Sequence, residues 1–312
     1  MVYTNIALKI LAAKECGYIR TNNQFWKDFS NLEDIEKLFV EHFDISIKCD
    51  ELKKQFEAVE YQKLGMICVF DEDFPCINPN AKNSEKPYLL FYKGQRKLLE
   101  NLNNNVAVIG LTDPTSEIEK RERRIVEKLL DCELNIVSGL AKGCDEIAHR
   151  VCVEKHAKTI AILPTDLNNI APRKNRELAD SIVESGGLLL TEYFKDADNK
   201  YEAVARYIER DRLQAMFSKA VILIASYKKG EGDSGSRHAM EYAQKFGIKR
   251  YVMFNFETDS NDIQFGLNRE YKTIESVDII TPTQIQFIKS INNEFLSKKV
   301  ITDIKQQKIT GI

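Results

Sequence analysis

The sequence contains little that belongs to membrane, secreted or disulfide-stabilised proteins. None of its apolar runs approaches the ~20 residues that a membrane-spanning helix needs. Lys9 and Lys14 interrupt the N-terminal stretch, which lacks the continuous apolar core and cleavage site of a signal peptide. The seven cysteines are scattered and include no C-x-x-C pair, which favours reduced thiols over a disulfide framework. We therefore expect a soluble, cytoplasmic protein that does not contact a membrane.

The common nucleotide-binding motifs are missing as well. No G-x-x-x-x-G-K-[ST] occurs, so there is no P-loop, and only Gly110 stands where a dinucleotide site would carry G-x-G-x-x-G. His149, Cys152 and His156 share a helical face, but the paired C-x-x-C or H-x-x-x-H elements usual in zinc sites are absent. We expect neither a cofactor nor a metal.

The sequence also lacks an excess of charge of one sign. Lysine and arginine number 45 against 47 acidic residues, which gives a formal net charge of −2. This balance does not exclude a nucleic-acid partner, because a polyanion is attracted by local patches of positive charge and not by the total.

Apolar runs alternate with amphipathic segments from residue 105 onward. Six continuous apolar runs are typical of strands buried on both faces, and five amphipathic segments separate them. This alternation predicts an α/β fold with a doubly wound, mostly parallel sheet and right-handed crossovers. The predicted strands are 106–109, 134–137, 159–163, 188–191, 221–225 and 251–254.

The two ends of the chain differ from this core. Residues 1–62 have apolar side chains at near-helical spacing and predict a small N-terminal module of two or three short helices. A stretch with three prolines, 70–94, ends in a strand-like run and forms the junction to the second domain, which we place, with this junction included, at 63–280. Residues 281–312 predict a mildly basic tail of one or two short helices, too short for a full winged helix.

Two glycine-containing turns at the carboxyl ends of predicted strands could bind anions. One is SGLAKG, 138–143, with Lys142, and the other is DSGSRH, 233–238, with Arg237. Backbone N–H groups and the dipole at a helix N-terminus favour a phosphate, and glycine lets the backbone approach it. Simple helix capping explains either turn alone, but two such turns at one edge of a sheet favour an anion site.

Charged residues near these turns are further candidates. Arg210 and Arg212 flank Asp211 in a predicted helix; residues two apart point about 200° apart, so only one arginine can face a ligand, and we favour Arg212. Asp145 and His149 lie four residues apart on one helical face and could act as an oriented base. We favour instead a helix-capping role for Asp145 and a buried hydrogen bond for His149.

Taken in order, these motifs resemble those of the DNA-processing protein A (Smf) family. The resemblance covers about residues 65–255 and rests on VAVIG…PTS, IVSGLAKGCDEIAH, TIAILPTDLNNIAPRKNREL, GGLLLTEY, ERDRLQAMFSKAVILI and SGSRHAMEYAQKFG. It implies an extended Rossmann-like domain that binds single-stranded DNA without catalysis and helps to load a RecA-type recombinase during natural transformation. It also implies a homodimer, an N-terminal helical module and a C-terminal winged helix. We expect this chain to have the N-terminal module and to lack most of the winged helix.

The resemblance further implies which residues bind phosphate or DNA. The family's serine-glycine loop with its trailing acidic residue, its asparagine after the third strand, its Arg-Asn-Arg and its Ser-Gly-Ser turn each have a counterpart here. The residues expected on this basis are Gly110, Thr112, Ser138, Gly139, Ala141, Lys142, Gly143, Asp145, Arg173, Lys174, Asn175, Arg210, Arg212, Ser234, Gly235 and Ser236.

Two motifs depart from the family pattern. Gly110-Leu111-Thr112 stands where the family has Gly-Ser-Arg, so this chain lacks the arginine that the resemblance leads us to expect in contact with the DNA backbone. Asp211 replaces the central asparagine of Arg-Asn-Arg. A site that neutralises fewer phosphates should bind DNA more weakly and with a shallower dependence on salt.

The aromatic residues near the predicted site are Tyr193, Phe194 and Phe217. Single-stranded DNA is commonly bound by stacking of its bases on such side chains, while phosphates meet backbone N–H groups and cations. Core or rim packing is the simpler role for each of the three.

Two other functions remain open. The pocket could bind a small nucleotide or signal molecule, as in related Rossmann-like sensors, some of them associated with phage defence. The chain could also resemble the nucleotide phosphoribohydrolases of the lysine-decarboxylase-like group. That group places its catalytic Glu where Ala239 stands, and Glu241 lies on a different face of the helix. We rank this enzyme last and expect no catalytic residue.

Overall fold

The computed structural model, which describes residues 1–232 and 235–297, begins with four short helices. Side chains cap three of them: Thr4, Thr21 and Asn31 accept hydrogen bonds from N–H groups of the first turn. The sequence predicts two or three helices; the third and fourth are separated by His42 alone, without a capping side chain to mark the break. The helices are α1 (Asn5–Glu15), α2 (Asn22–Asp28), α3 (Leu32–Glu41) and α4 (Phe43–Gln55).

The rest of the fold is built on one nine-stranded sheet in the order β1-β2-β6-β5-β4-β3-β7-β8-β9. Strands β3 to β9 pair in parallel, while β2 pairs antiparallel with both β1 and β6. The strands are β1 (Leu64–Cys68), β2 (Leu89–Gly94), β3 (Asn105–Ile109), β4 (Asn135–Ser138), β5 (Thr159–Ile162), β6 (Leu188–Thr191), β7 (Ala220–Leu223), β8 (Lys249–Val252) and β9 (Val277–Ile279).

Helices cover both faces of this sheet, as the alternation predicts. The five crossover helices lie between successive strands from β3 to β8, and two further helices follow β8. The doubly wound α/β prediction and its six strands are confirmed, with strand ends shifted by one or two residues. The helices are α5 (Ser116–Asp131), α6 (Cys144–Glu154), α7 (Arg176–Glu184), α8 (Lys200–Met216), α9 (Ser236–Lys245), α10 (Gly266–Tyr271) and α11 (Pro282–Ser290).

The strand β1 extends the sheet beyond the prediction. Its Gly65 lies opposite Tyr92 of β2, and a Cβ at position 65 would be 2.0 Å from the ring carbon Cζ of Tyr92. A glycine inside a strand weakens the local pattern, but here the aromatic ring of the neighbouring strand needs that space. This pairing is a property of two distant segments and was not predicted.

The chain reverses its direction of travel across the sheet between β3 and β7. From β3 it proceeds outward through β4, β5 and β6, and α8 then returns it to β7 on the other side of β3. The loops after β3 and β7 therefore diverge and leave a crevice at the carboxyl edge.

Two observations bear on the predicted class of protein. In the part of the chain that the structure describes, no helix combines the length and apolarity needed to cross a membrane. None of the seven cysteines takes part in a disulfide, and all except Cys16 are buried.

Candidate nucleic-acid interface

A cavity of about 470 Å³ lies at the point where the sheet order reverses, between the loops after β3 and β4, helix α8 and the first turn of α9. Parallel α/β sheets bind ligands at this point. Seven of the sixteen residues predicted from the sequence line this cavity: Gly110, Thr112, Ala141, Asp145, Arg210, Gly235 and Ser236.

The turn at 138–143 is closed by a carboxylate from its own helix. Asp145 accepts hydrogen bonds through Oδ2 from the backbone N–H groups of Gly139 (3.1 Å) and Ala141 (3.3 Å). The expectation that these N–H groups are open to a phosphate is therefore wrong. Asp145 is also not the N-cap, which is Gly143; it binds the preceding turn and fixes its shape.

Ser138 and Asn175 hold the same turn and do not line the cavity. Ser138 Oγ donates to the carbonyl oxygen of Val108 in the neighbouring strand (2.7 Å), and Asn175 Nδ2 donates to that of Leu140 (2.9 Å). Both residues are completely buried. They position the loop in this structure.

Gly110 and Gly143 allow two loops to pack directly on each other. A Cβ at Gly110 would lie 2.6 Å from Cys144 Sγ, and one at Gly143 would lie 2.2 Å from the carbonyl oxygen of Leu111. Gly143 also has a φ of +79°. Close loop packing thus explains both glycines, and it brings Thr112 to the cavity wall.

Arg210 is the cation held on the inner wall of the cavity. The residue is 5% exposed, and its guanidinium lies between two carboxylates: Nη1 is 3.6 Å from Asp145 Oδ2, and Nε is 3.4 Å from Asp211 Oδ1. Neither Nε nor Nη1 has a hydrogen-bond partner among the described residues. Leaving buried donors unsatisfied is costly, so this guanidinium is a good candidate for binding an anionic ligand.

Arg212 points away from the cavity, which corrects the choice made from the sequence. Its Nη2 donates to Glu192 Oε1 (2.6 Å), its Nε to the carbonyl oxygen of Glu85 (2.8 Å) and its Nη1 to that of Glu209 (2.6 Å). Helical geometry does separate the two arginines as expected, but Arg210 is the one that lines the cavity. Arg212 joins α8 to the end of β6 and to the segment before β2.

Asp211 and Gln214 complete the polar part of the α8 wall. Burial raises the pKa of Asp211 to about 7, Arg210 opposes that rise and Asp145 adds to it. Near neutral pH the side chain is therefore divided between a carboxylate and a neutral acid, which can donate a hydrogen bond. Gln214 is 1% exposed, and its Oε1 has no hydrogen-bond partner among the described residues.

His149 forms the buried hydrogen bond expected from the sequence. Its Nδ1 lies 2.8 Å from Thr159 Oγ1, whose own hydroxyl donates to the carbonyl oxygen of Ile136. The imidazole therefore donates through Nδ1. Burial, with a smaller effect of Arg210, lowers the pKa of His149 to about 3, so the ring is neutral. This histidine does not line the cavity.

The first turn of α9 forms the opposite side of the cavity. Gly235 has a φ of +86°, and Ser236 Oγ donates to the carbonyl oxygen of Gly110 (2.8 Å). Ala239 faces the cavity, whereas Glu241 accepts from Arg237 Nη1 (2.9 Å) and is not part of the lining. Ser234, also predicted, lies outside the described residues.

Three predicted cations lie on neighbouring loops without lining the cavity. Lys142 and Arg173 are exposed, and Lys174 Nζ forms an ion pair with Glu146 Oε2 (2.5 Å).

The three aromatic residues considered from the sequence are engaged in packing. Phe217 is completely buried, and Phe194 packs against Phe91 with ring centroids 5.6 Å apart. The hydroxyl of Tyr193 donates to Glu209 Oε2 (2.8 Å). Tyr207 is 38% exposed and lines the cavity from α8, and it was not predicted as a site residue. The only feature of the sequence that could have indicated Tyr207 is its spacing of four and seven residues from Asp211 and Gln214, which places the three on one helical face.

Clusters of metal-ligating side chains are absent from residues 1–232 and 235–297. No group of three or more His, Cys, Asp or Glu side chains there is arranged to hold a metal ion. The polar groups that line the cavity are two arginines, two carboxyl groups, an imidazole, an amide, a phenol and the hydroxyls of a threonine and a serine.

Sequence comparisons identify relatives of this chain. The model of the family described as DNA recombination-mediator protein A matches residues 65–272, more than half of the chain. Protein Smf of Borreliella burgdorferi is 28% identical over 305 residues, which cover 94% of this chain and 91% of that protein. DNA processing protein DprA of Streptococcus pneumoniae is 36% identical over 134 residues, which cover 43% of this chain and 45% of that protein.

Solved structures give the same result. The X-ray structure of DprA from S. pneumoniae superposes with a TM-score of 0.65 at 25% identity and covers 94% of this chain and all of that chain. DprA from Helicobacter pylori, whose structure concerns its mode of binding single-stranded DNA, superposes with a TM-score of 0.57 at 27% identity. That match covers 70% of this chain and 92% of the H. pylori chain.

Proposed function

The chain belongs to the DNA recombination-mediator protein A family, and on this premise we propose that it binds single-stranded DNA in the cavity between β3, α8 and α9. The likeness to the H. pylori protein, whose structure concerns single-stranded DNA binding, supports this proposal. We assign the phosphate contacts to the side of the cavity formed by Gly110, Thr112, Arg210 and Ser236.

The observation that carries the proposal is the state of Arg210. A guanidinium that is almost completely buried, lines a cavity and leaves Nε and Nη1 without hydrogen-bond partners among the described residues is ready to bind an anion. The first turn of α9 faces the same space, so the positive end of a helix dipole adds to the attraction.

The biological role that fits this site is that of a recombination mediator. We propose that the protein holds single strands, acts with a RecA-type recombinase in DNA processing or uptake and forms a homodimer. We also propose that it does so without catalysis: Ala239 stands where the related phosphoribohydrolases have their acidic residue, and Glu241 is paired with Arg237. Unpaired cysteines support a cytoplasmic location.

A small nucleotide is the second candidate ligand, because of the charge balance of the cavity. Asp145 and Asp211 flank Arg210, and Thr112 stands where the family has an arginine, so few positive charges remain for a long polyanion. One or two phosphates would be neutralised more completely than a strand of many.

Fluorescence anisotropy can separate these two ligands. A labelled single-stranded 20-mer and its duplex are titrated at several salt concentrations, with mononucleotides as competitors. Micromolar binding that prefers the single strand and weakens steeply with salt supports the mediator. Absence of strand binding, together with a thermal shift on adding one nucleotide, would replace it by the nucleotide-binding module.

A further inference from the structure

Helix α8 presents one continuous stripe of side chains to the cavity. Val204, Tyr207, Ile208, Asp211 and Gln214 stand at positions i, i+3, i+4, i+7 and i+10 of one helical face and all line it. The stripe changes character along its length, from apolar and accessible near the start of the helix to polar and buried near its end. Such a graded wall suits a ligand with both a flat apolar surface and a polar edge.

The apolar end of the stripe is unusually accessible. Val204 is 54% exposed, Tyr207 is 38% exposed and Ile208 is 39% exposed. Adjacent exposed apolar side chains at the mouth of a cavity commonly mark a binding surface. A phosphate gains nothing from these side chains, so this wall needs a different part of the ligand from the part that Arg210 binds.

The polar end contains an acceptor without a donor. Gln214 lies one turn beyond Asp211 and Arg210, is 1% exposed, and its Oε1 has no hydrogen-bond partner among the described residues. A buried carbonyl oxygen in this state requires a donor, and a phosphate cannot supply one. The exocyclic amino or ring N–H groups of a nucleobase can.

We propose that this α8 wall is a nucleobase subsite, in which one base stacks on Tyr207 between Val204 and Ile208 and turns its polar edge toward Gln214. The inference rests on the proposed function, because the neighbouring phosphate is held by the Arg210 side of the same cavity. The aromatic ring and the guanidinium lie three residues apart on one helix, so a single nucleotide can contact both.

An exposed apolar helix face could also be covered by a second copy of the chain. The stripe does not end at the surface but continues into the cavity, where Asp211 and Gln214 are buried. The flat face of a partner protein would cover Tyr207 but leave the deep acceptor unsatisfied. A planar base with donors on its edge satisfies both ends.

The subsite can be tested with an oligonucleotide that has phosphates but no bases. Anisotropy is measured with a labelled single-stranded 20-mer and with an abasic 20-mer of the same length. The variants are Tyr207→Ala and Tyr207→Phe. Tyr201→Ala is the matched control, because Tyr201 lies on the same helix, is 89% exposed and does not line the cavity.

The proposal predicts a loss that depends on the bases. Tyr207→Ala should weaken binding of the normal 20-mer by about five-fold or more, since stacking of a base on an aromatic side chain contributes roughly 1–3 kcal/mol. Binding of the abasic strand should not change, and Tyr207→Phe and Tyr201→Ala should behave like the unmodified protein.

The other outcomes overturn either this inference or its premise. Equal losses for the normal and abasic strands, or no loss for either, would show that Tyr207 does not stack a base. A drop in oligomer mass on size-exclusion light scattering in Tyr207→Ala, with DNA binding intact, would assign the face to a second copy. If the unmodified protein binds neither strand, the proposed function itself fails.

Discussion

The guanidinium of Arg210 occupies the space that a side chain at Gly139 would need: a Cβ on Gly139 would lie 1.1 Å from Nη1 of Arg210. The arginine therefore passes directly beneath the turn at 138–143 and packs α8 against the loop after β4. The absence of a side chain at 139 is what permits Arg210 to reach the cavity between Asp145 and Asp211.

Gly139→Ala should displace the Arg210 guanidinium and weaken binding of single-stranded DNA by roughly ten-fold or more, because a hydrogen bond to a charged group contributes about 1.5–3 kcal/mol. Anisotropy with the 20-mer measures the loss. The same substitution made in an Arg210→Gln background should cause little further change. An equal loss in both backgrounds would mean that the alanine distorts the loop independently of Arg210.

The pH dependence of binding should follow Asp211. Burial raises the pKa of this carboxyl to about 7, so its ionised form, which repels phosphate, accumulates as pH rises from 6 to 8. DNA affinity should therefore fall across this range. Asp211→Asn keeps the side chain neutral and should remove most of the fall while tightening binding at pH 8.

The groups around Asp211 define the control for this experiment. Arg210 lies beside it, Asp145 lies on the other side of Arg210, and Arg237 and His238 line the cavity from α9. The pH profile of Asp211→Asn is measured beside that of the unmodified protein, and His238→Gln in both backgrounds tests whether the imidazole contributes. An unchanged pH profile in Asp211→Asn would exclude Asp211 as the group that titrates.

The stability of the folded state should also depend on the protonation of Asp211. Its pKa in the folded chain is above the ordinary value near 4, so the folded state binds more protons than the unfolded state between these two pH values. The free energy of unfolding contributed by Asp211 therefore falls as pH rises from about 4 to about 7 and is constant above that. Chemical denaturation at pH 5 and pH 8 should show a smaller decrease for Asp211→Asn than for the unmodified protein.

The central sheet could be predicted from the sequence because its strands are buried on both faces. Continuous apolar runs such as β5 and β7 allow no other interpretation once amphipathic helices separate them. The edge strands carry less of this signal: β9 has only three residues, and β1 contains a glycine explained by Tyr92 of another strand. Whether these two segments form strands depends on their pairing with distant strands, which the local pattern of apolar residues does not show.

The site was predictable in its location but not in its inner geometry. Strand order and loop composition place the turns at one edge of the sheet. Helical periodicity predicts that the side chains of Arg210 and Arg212 point in different directions. Which of them faces the cavity depends on where Glu192 and Glu85 pack. In the same way, the sequence supplies Asp145 near the turn without showing that its rotamer closes the turn's N–H groups.

Thr112→Arg should add the cation that the resemblance to the family leads us to expect after the first core strand. Thr112 is exposed and lines the cavity, so an arginine there can reach a bound phosphate without displacing core side chains. We expect several-fold tighter binding of the 20-mer and a salt dependence steeper by about 0.7 in the log–log slope, the value for one additional phosphate contact on a single strand.

The control for this gain in affinity is a variant that carries the same added charge far from the cavity, Thr283→Arg. Residue 283 is on α11, is exposed and does not line the cavity. It should change the slope much less, because a distant surface charge is screened. If both variants bind equally tightly, the gain reflects net charge and not a contact at position 112.

Arg212→Ala should damage the fold and leave the ligand site intact. The substitution removes the partner of a buried carboxylate, Glu192, and the donors to two carbonyl oxygens. Breaking a buried ion pair by removing one member costs about 3–5 kcal/mol, so the melting temperature should fall by several degrees. DNA affinity measured well below that temperature should remain within about two-fold, whereas Arg210→Gln should weaken binding at every temperature. A large loss of affinity in folded Arg212→Ala would instead mean that the contact of α8 with the end of β6 sets the position of Arg210, which lies two residues away on the same helix.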